Sequence, residues 1–203
     1  MEASFLDRNP KIKDALSFGA FIGIVLLGTI LINTFIFRSF SVSGHSMDNT
    51  LADGDRLIVN RLPITAAQLK NQSYTPARGQ IIVFKNPLYK EGAPDEYIVK
   101  RVIAFPGERV TIKNGVLTVY NTEHPGGFVP DDEYRKNGKG PQSPSSGEGL
   151  DATVPDGTIF VCGDNRIGGH SNDSRSGLGM IPTFDVIGPV SLRIWPITSL
   201  SGF

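Results

Sequence analysis

Residues 15–37, ALSFGAFIGIVLLGTILINTFIF, run for 23 positions without a charged side chain. As a helix, at about 1.5 Å per residue, such a run is about 34 Å long and crosses the roughly 30 Å hydrocarbon core of a bilayer. The apolar stretch of a cleavable targeting segment is shorter, about 7–15 residues, and core helices of soluble proteins rarely stay uncharged for so long. The pattern therefore predicts a retained transmembrane helix at 15–37, a short N-terminal piece at 1–14 and a second domain at 38–203. Arg8, Lys11 and Lys13 precede the span and Arg38 follows it, so the positive-inside rule places the N-terminus in the cytoplasm and residues 38–203 across the membrane.

Beyond the anchor the period changes. Short β-branched and aromatic runs recur between turn residues: RLIVN at 56–60, QIIVF at 80–84, YIVKRVI at 97–103, RVTI at 109–112, VLTVY at 116–120, TIFVC at 158–162 and VSLRIW at 190–195. Such runs suit strands, and Asn114-Gly115 between two of them signals a hairpin. Residues 65–73 (TAAQLKNQS) are the one short helix expected outside the anchor. Residues 137–149 (NGKGPQSPSSGEG) are rich in Gly, Pro and Ser and read as a loop within a loose, variable excursion over 113–155. The expected fold is mostly β: an antiparallel sheet domain with a small β insertion, behind one N-terminal transmembrane helix.

Composition narrows the chemistry. Twenty Lys and Arg balance 20 Asp and Glu, so the basic surplus that nucleic acid needs is missing. The single cysteine, Cys162, excludes an intramolecular disulfide framework and multi-cysteine metal sites. Three scattered histidines give no metal-ligand spacing. No metal or organic cofactor is expected.

Three segments carry candidate chemistry. Ser43-Gly44-His45-Ser46-Met47-Asp48-Asn49-Thr50-Leu51 is a small turn that could present a hydroxyl while leaving backbone N–H groups free; it could equally be a polar joint between anchor and domain. In Tyr97–Ile103, alternation puts Lys100 between Ile98 and Val102 on one face. A lysine buried there loses solvation, so its pKa falls and it can act as a general base for a serine; an edge lysine would instead snorkel to water. The third segment, Gly163-Asp164-Asn165-Arg166 followed by Ser171-Asn172-Asp173-Ser174-Arg175, holds Asp–Arg pairs able to lock a loop, or is simply a polar turn.

Taken in this order behind one span, the segments resemble the bacterial type I signal peptidases, membrane-bound proteases with a serine–lysine dyad. SGHSMDNTL (43–51), RGQIIVFKNP (78–87), YIVKRVIAFPG (97–107), GDNR with SNDSRSG (163–177) and VIGPVSLRIWP (186–196) carry the resemblance. It implies Ser46 as nucleophile and Lys100 as general base, with Ser171 hydrogen-bonding and orienting Lys100. It implies an Asp173–Arg175 ion pair holding the loop. Val42, Ser43, Met47, Leu51, Ile98 and Val99 would line shallow substrate pockets, and the oxyanion would lie near the Ser46 backbone N–H and Gly44. The implied substrates are signal peptides of secreted preproteins, cut after small-x-small sites while lying extended between the Ser43 region and the Lys100 strand. The implied setting is the cell membrane, with the lipid bilayer and the secretion translocon as candidate partners and no nucleic acid.

The resemblance has three departures. Asn49 stands where the family usually has proline. Gly44 occupies a position where some members carry a second hydroxyl. Ile167-Gly168-Gly169-His170 is two residues longer than usual. Other readings remain beside it: a Ser46–His45 dyad, a catalytic Asp164, a self-cleaving Ser–Lys protease, or an inactive anchored β domain acting as a binding module. Asp164 is otherwise expected in an ion pair with Arg166 or another arginine, and Cys162 as a small core residue. Trp195 is either core or an interfacial side chain.

Overall fold

A computed structural model describes residues 9–92, 96–135 and 140–203. The chain opens on helix α1, Pro10–Leu31, which runs into one π-helical turn, Ile32–Ile36. Pro10, whose fixed φ suits the first helical turn, starts the helix earlier than the uncharged run does. The apolar side chains of α1 are exposed along its length. Phe37, expected to end the anchor, instead opens strand β1, Phe37–Ser41. Extended backbone thus begins where the apolar run ends.

Ten further strands follow: β2 (Arg56–Asn60), β3 (Ile81–Lys85), β4 (Tyr97–Ala104), β5 (Arg109–Lys113), β6 (Val116–Tyr120), β7 (Asp151–Thr153), β8 (Thr158–Cys162), β9 (Ile181–Pro182), β10 (Val186–Trp195) and β11 (Ser201–Gly202). Every strand pairing among the described residues is antiparallel. The main sheet has the order β1-β2-β10-β3-β4-β8-β9, with β11 added to β10, and the smaller sheet the order β6-β5-β7. The mostly antiparallel expectation is met, small second sheet included.

Strand β10 joins two halves of the main sheet. Its first residues pair with β3 and its last with β2, with register shifts along both ladders. At Gly188 a Cβ would lie 2.3 Å from the Asn60 carbonyl, so only glycine lets the two backbones approach there. The β5–β6 hairpin turns as expected, with positive φ at Asn114 (52°) and Gly115 (70°).

The expected helix over 65–73 forms earlier, as α2 over Leu62–Leu69. Pro63 is acceptable in a first turn, and Asn71 at φ 52° lies beyond the end. A second short helix, α3 (Asp131–Tyr134), was not expected. The loop over 137–149 falls partly outside the described residues, but residues 140–149 are not loose. Gln142 N–H donates to the Asp164 carbonyl, Ser146 N–H to the Arg166 carbonyl, and Ser145 is buried.

Three apolar clusters fill the domain. One lies between the small sheet and β8, around Val110, Ile112, Phe160 and Cys162; Cys162 is the buried core residue expected. A second gathers Val42, Met47, Leu51, Leu57, Val59 and Val83 beneath the 43–51 turn. The third, around Ile82, Phe84, Val102 and Val161, backs β4. Trp195 belongs to none of them and is 56% exposed, so it is not core.

Candidate active site

The 43–51 turn is pinned at its base. Val42 N–H donates to the Asp55 carbonyl (2.8 Å) and Gly54 N–H to the Val42 carbonyl (3.0 Å). Gly44, at φ 89°, takes a conformation that side chains resist, and its N–H donates to Asp53 Oδ1 at 2.7 Å. From His45 the backbone coils once, with Thr50 and Leu51 N–H both donating to the Met47 carbonyl. Met47 and Leu51, four residues apart, then share the inner side of the coil and are buried in the core. They support the turn from below and are absent from the cleft wall, which corrects their expected place in the substrate pockets.

Ser46 Oγ lies 2.7 Å from Lys100 Nζ, which donates to it and also to the Val99 carbonyl at 2.9 Å. Lys100 is 3% exposed. Burial pushes its pKa down to about 8, against the upward pull of the Asp173 carboxylate. Both expected candidates therefore meet, 54 residues apart in sequence, in hydrogen-bonding geometry. No hydrogen bond among the described residues takes up the Ser46 backbone N–H. Such a turn can present an activated hydroxyl beside an unpaired donor.

The segment from Gly163 to Arg175 closes the other side. Asn165 N–H donates to the Ser46 carbonyl, and its side-chain amide to the His45 carbonyl, each at 3.0 Å. A Cβ on Gly163 would lie 2.2 Å from that same Ser46 carbonyl and 2.3 Å from Ser171 Oγ. The expected Asp173–Arg175 pair is present, bidentate, at 2.8 and 3.0 Å. Ser171 differs from expectation: its hydroxyl donates to Asp173 Oδ2 at 2.6 Å, while the hydrogen bonds of Lys100 go to Ser46 and Val99. Asp173 also accepts the Gly163 N–H. Burial works to raise the Asp173 carboxyl, but its bonds to Arg175, Ser171 and Gly163 outweigh it and hold the group below its ordinary value.

Asp164 is structural. Arg101 grips it bidentately at 2.8 and 2.5 Å, and Thr50 Oγ1 donates to it at 2.5 Å. Arg166 pairs instead with Asp131 of α3, both fully buried. His45 turns toward Asp48, Nδ1 to Oδ2 3.3 Å, and the partner of Ser46 Oγ is Lys100, so no Ser–His dyad forms.

Three contributors escaped sequence reasoning: Thr50, Asp55 and Arg193. Arg193 donates to Asp55 (2.9 Å) and to the Thr50 carbonyl (3.1 Å), tying β10 to the turn. The available signal was an arginine inside the apolar run VSLRIW, since a buried charge requires a partner.

A cleft of about 500 Å³ passes over this pair, walled by Phe40, Val42, Ser43, Gly44, Ser46, Ile98, Val99 and Lys100. Four of the six expected pocket residues, Val42, Ser43, Ile98 and Val99, line it.

Asn49 has φ 78°, open to asparagine and closed to proline, whose ring fixes φ near −65°. This departure from the family pattern is thus built into the turn. Asn49→Pro is expected to lose about 1–3 kcal/mol of stability and Asn49→Gly much less, as read by denaturant unfolding.

A family described as signal peptidase, peptidase S26, matches residues 15–195. The chain belongs to this family. Signal peptidase I T of Bacillus subtilis (strain 168) is 33% identical over 94% of this chain and 90% of its own length. Signal peptidase IB of Staphylococcus aureus (strain N315) is 30% identical over 92% of each. A solved signal peptidase I of Enterococcus faecalis V583 is 28% identical, covering 58% of this chain and 97% of that one with a TM-score of 0.39. As a member of the family the chain is a serine endopeptidase, a hydrolase. Its exposed apolar N-terminal helix, long enough to cross a bilayer, fits a membrane-anchored member.

Proposed function

We propose that the chain removes signal peptides from secreted preproteins, with Ser46 as nucleophile and Lys100 as general base, cutting after small-x-small sites. The observation that carries this is the 2.7 Å contact between Lys100 Nζ and Ser46 Oγ, with the lysine buried and its pKa brought down to about 8. Family membership supports the substrate class.

Neutral Lys100 accepts the Ser46 proton as the hydroxyl attacks the carbonyl of the last signal-peptide residue. Negative charge grows on that carbonyl oxygen beside the free Ser46 N–H; one such donor is worth roughly 3–4 kcal/mol in other serine hydrolases. Gly44 contributes an open, side-chain-free approach, since nothing lies within 4 Å of where its Cβ would be. Lysinium then protonates the leaving amine, and water, activated by Lys100, releases the acyl group. Asp173 and Arg175 hold the loop that carries Ser171, and Ser171 acts through Asp173. The apolar wall of Val42, Ile98 and Val99 receives the small residues before the cut, with Ser43 and the β4 backbone pairing to the extended peptide.

The apolar helix that ends at Ile36 anchors this domain in the cell membrane, with the N-terminus in the cytoplasm and the β domain outside it, where preproteins emerge from the translocon.

In vesicles, the full-length chain is expected to cut a preprotein ending Ala-x-Ala after the second alanine, and Ser46→Ala is expected to leave it whole. An intact preprotein after incubation with the folded wild type would instead mean a binding module.

A further inference from the structure

The cleft runs from an aromatic end to the reacting pair and past it. At the first end stand Phe40, Tyr97 and Ile98, with Asn86 and Glu96 beside them; β4 then leads about 10 Å, three residues at about 3.3 Å each, from Tyr97 to Lys100. Beyond the Ser46–Lys100 pair the wall is polar: His45, His170 and Asn172. The loop carrying His170 and Asn172 sits on this side because Asn165 donates to the His45 and Ser46 carbonyls and Gly163 packs against the Ser46 carbonyl. His170 reaches the wall through the segment Ile167-Gly168-Gly169-His170, with both glycines at positive φ (63° and 72°) and the imidazole folded over Gly168.

The donors here are available. The Asn172 side-chain carbonyl accepts from Ser176 Oγ at 3.3 Å, which directs its amide N–H groups elsewhere. Of the carboxylates in or beside the cleft, Asp48 faces His45 and Asp53 accepts the Gly44 N–H, while Glu96 stands at the Tyr97 end. If the small, apolar residues before the cut lie against Val42, Ile98 and Val99, the residues after it lie against His170 and Asn172.

We infer that His170 and Asn172 form a subsite for the first two residues after the scissile bond and select side chains that accept hydrogen bonds, carboxylates above all. This rests on the peptidase reading and adds to it a preference set by the start of the mature protein.

The test uses the full-length chain in vesicles and preproteins identical through Ala-x-Ala, with Asp, Ala or Lys at the two following positions. Wild type is expected to give kcat/KM about fivefold to tenfold higher for Asp than for Ala or Lys, as a charge-assisted hydrogen bond provides. In His170→Ala and Asn172→Ala that ratio shrinks toward one, and in His170→Gln, which keeps a donor, part of it returns. Equal wild-type rates on all three preproteins, or a ratio unchanged in a His170→Ala/Asn172→Ala double variant, would overturn the subsite alone. Cleavage of none of the three would overturn the peptidase reading, and the subsite with it.

Discussion

Lys100→Met is expected to reduce preprotein cleavage by about 10²–10⁴-fold, the contribution of a positioned general base. Methionine keeps the buried length of the side chain among Ile98, Val102 and Ile82, which pairs across from residue 100, so the chain should remain folded while Ser46 loses its proton acceptor. Lys100→Arg is the sharper variant. A guanidinium keeps the charge and can still donate to Ser46, but it stays protonated throughout the physiological range and cannot take a proton. It should be as inactive as methionine. An arginine variant with wild-type activity would reduce Lys100 to a donor that orients the serine.

Gly163→Ala is expected to lower kcat by about 10²-fold or more, the scale of a 1 Å displacement of reacting groups. The added methyl meets backbone, the Ser46 carbonyl at 2.2 Å, and that atom cannot rotate aside. Either the Gly163 segment withdraws, breaking the Asn165 N–H bond to the same carbonyl, or the 43–51 turn shifts away from Lys100. Ser171 Oγ at 2.3 Å and Ser171 Cβ at 2.8 Å block the other side. Steady-state kinetics beside a denaturation curve separates this from unfolding: a folded protein with normal kcat would show that the contact does not position the nucleophile.

The Ser46–Lys100 contact was legible from the ordered motifs that carry the family resemblance, each of which is local. YIVKRVI places a lysine among apolar neighbours, and a small Gly-containing turn precedes Ser46. The Asn114-Gly115 hairpin and the RLIVN strand were legible for the same reason. What the pattern hid depends on partners far along the chain. The apolar run at 190–195 stops short of Gly188-Pro189, yet both residues lie inside the ten-residue β10, because the glycine fits against the Asn60 carbonyl and the strand changes neighbours there. Met47 and Leu51 look like pocket residues until the coil after Ser46 turns both toward the core. Ser171 was assigned to Lys100, but a carboxylate two residues on is a stronger acceptor for its hydroxyl. Arg166 was one of the arginines expected for Asp164; Arg101 took that place, and Asp131, in a helix that the sequence did not announce, took Arg166.

The most direct measurement is the pH dependence of kcat/KM for one Ala-x-Ala preprotein, taken from pH 6 to 10. Burial favours the neutral amine of Lys100, and only that form accepts the Ser46 proton. Activity should therefore climb about tenfold per pH unit below the Lys100 pKa and level off above about 8. A profile flat across this range, or one still climbing at pH 10 as for an ordinary lysine, would contradict a buried, neutral Lys100 as the base.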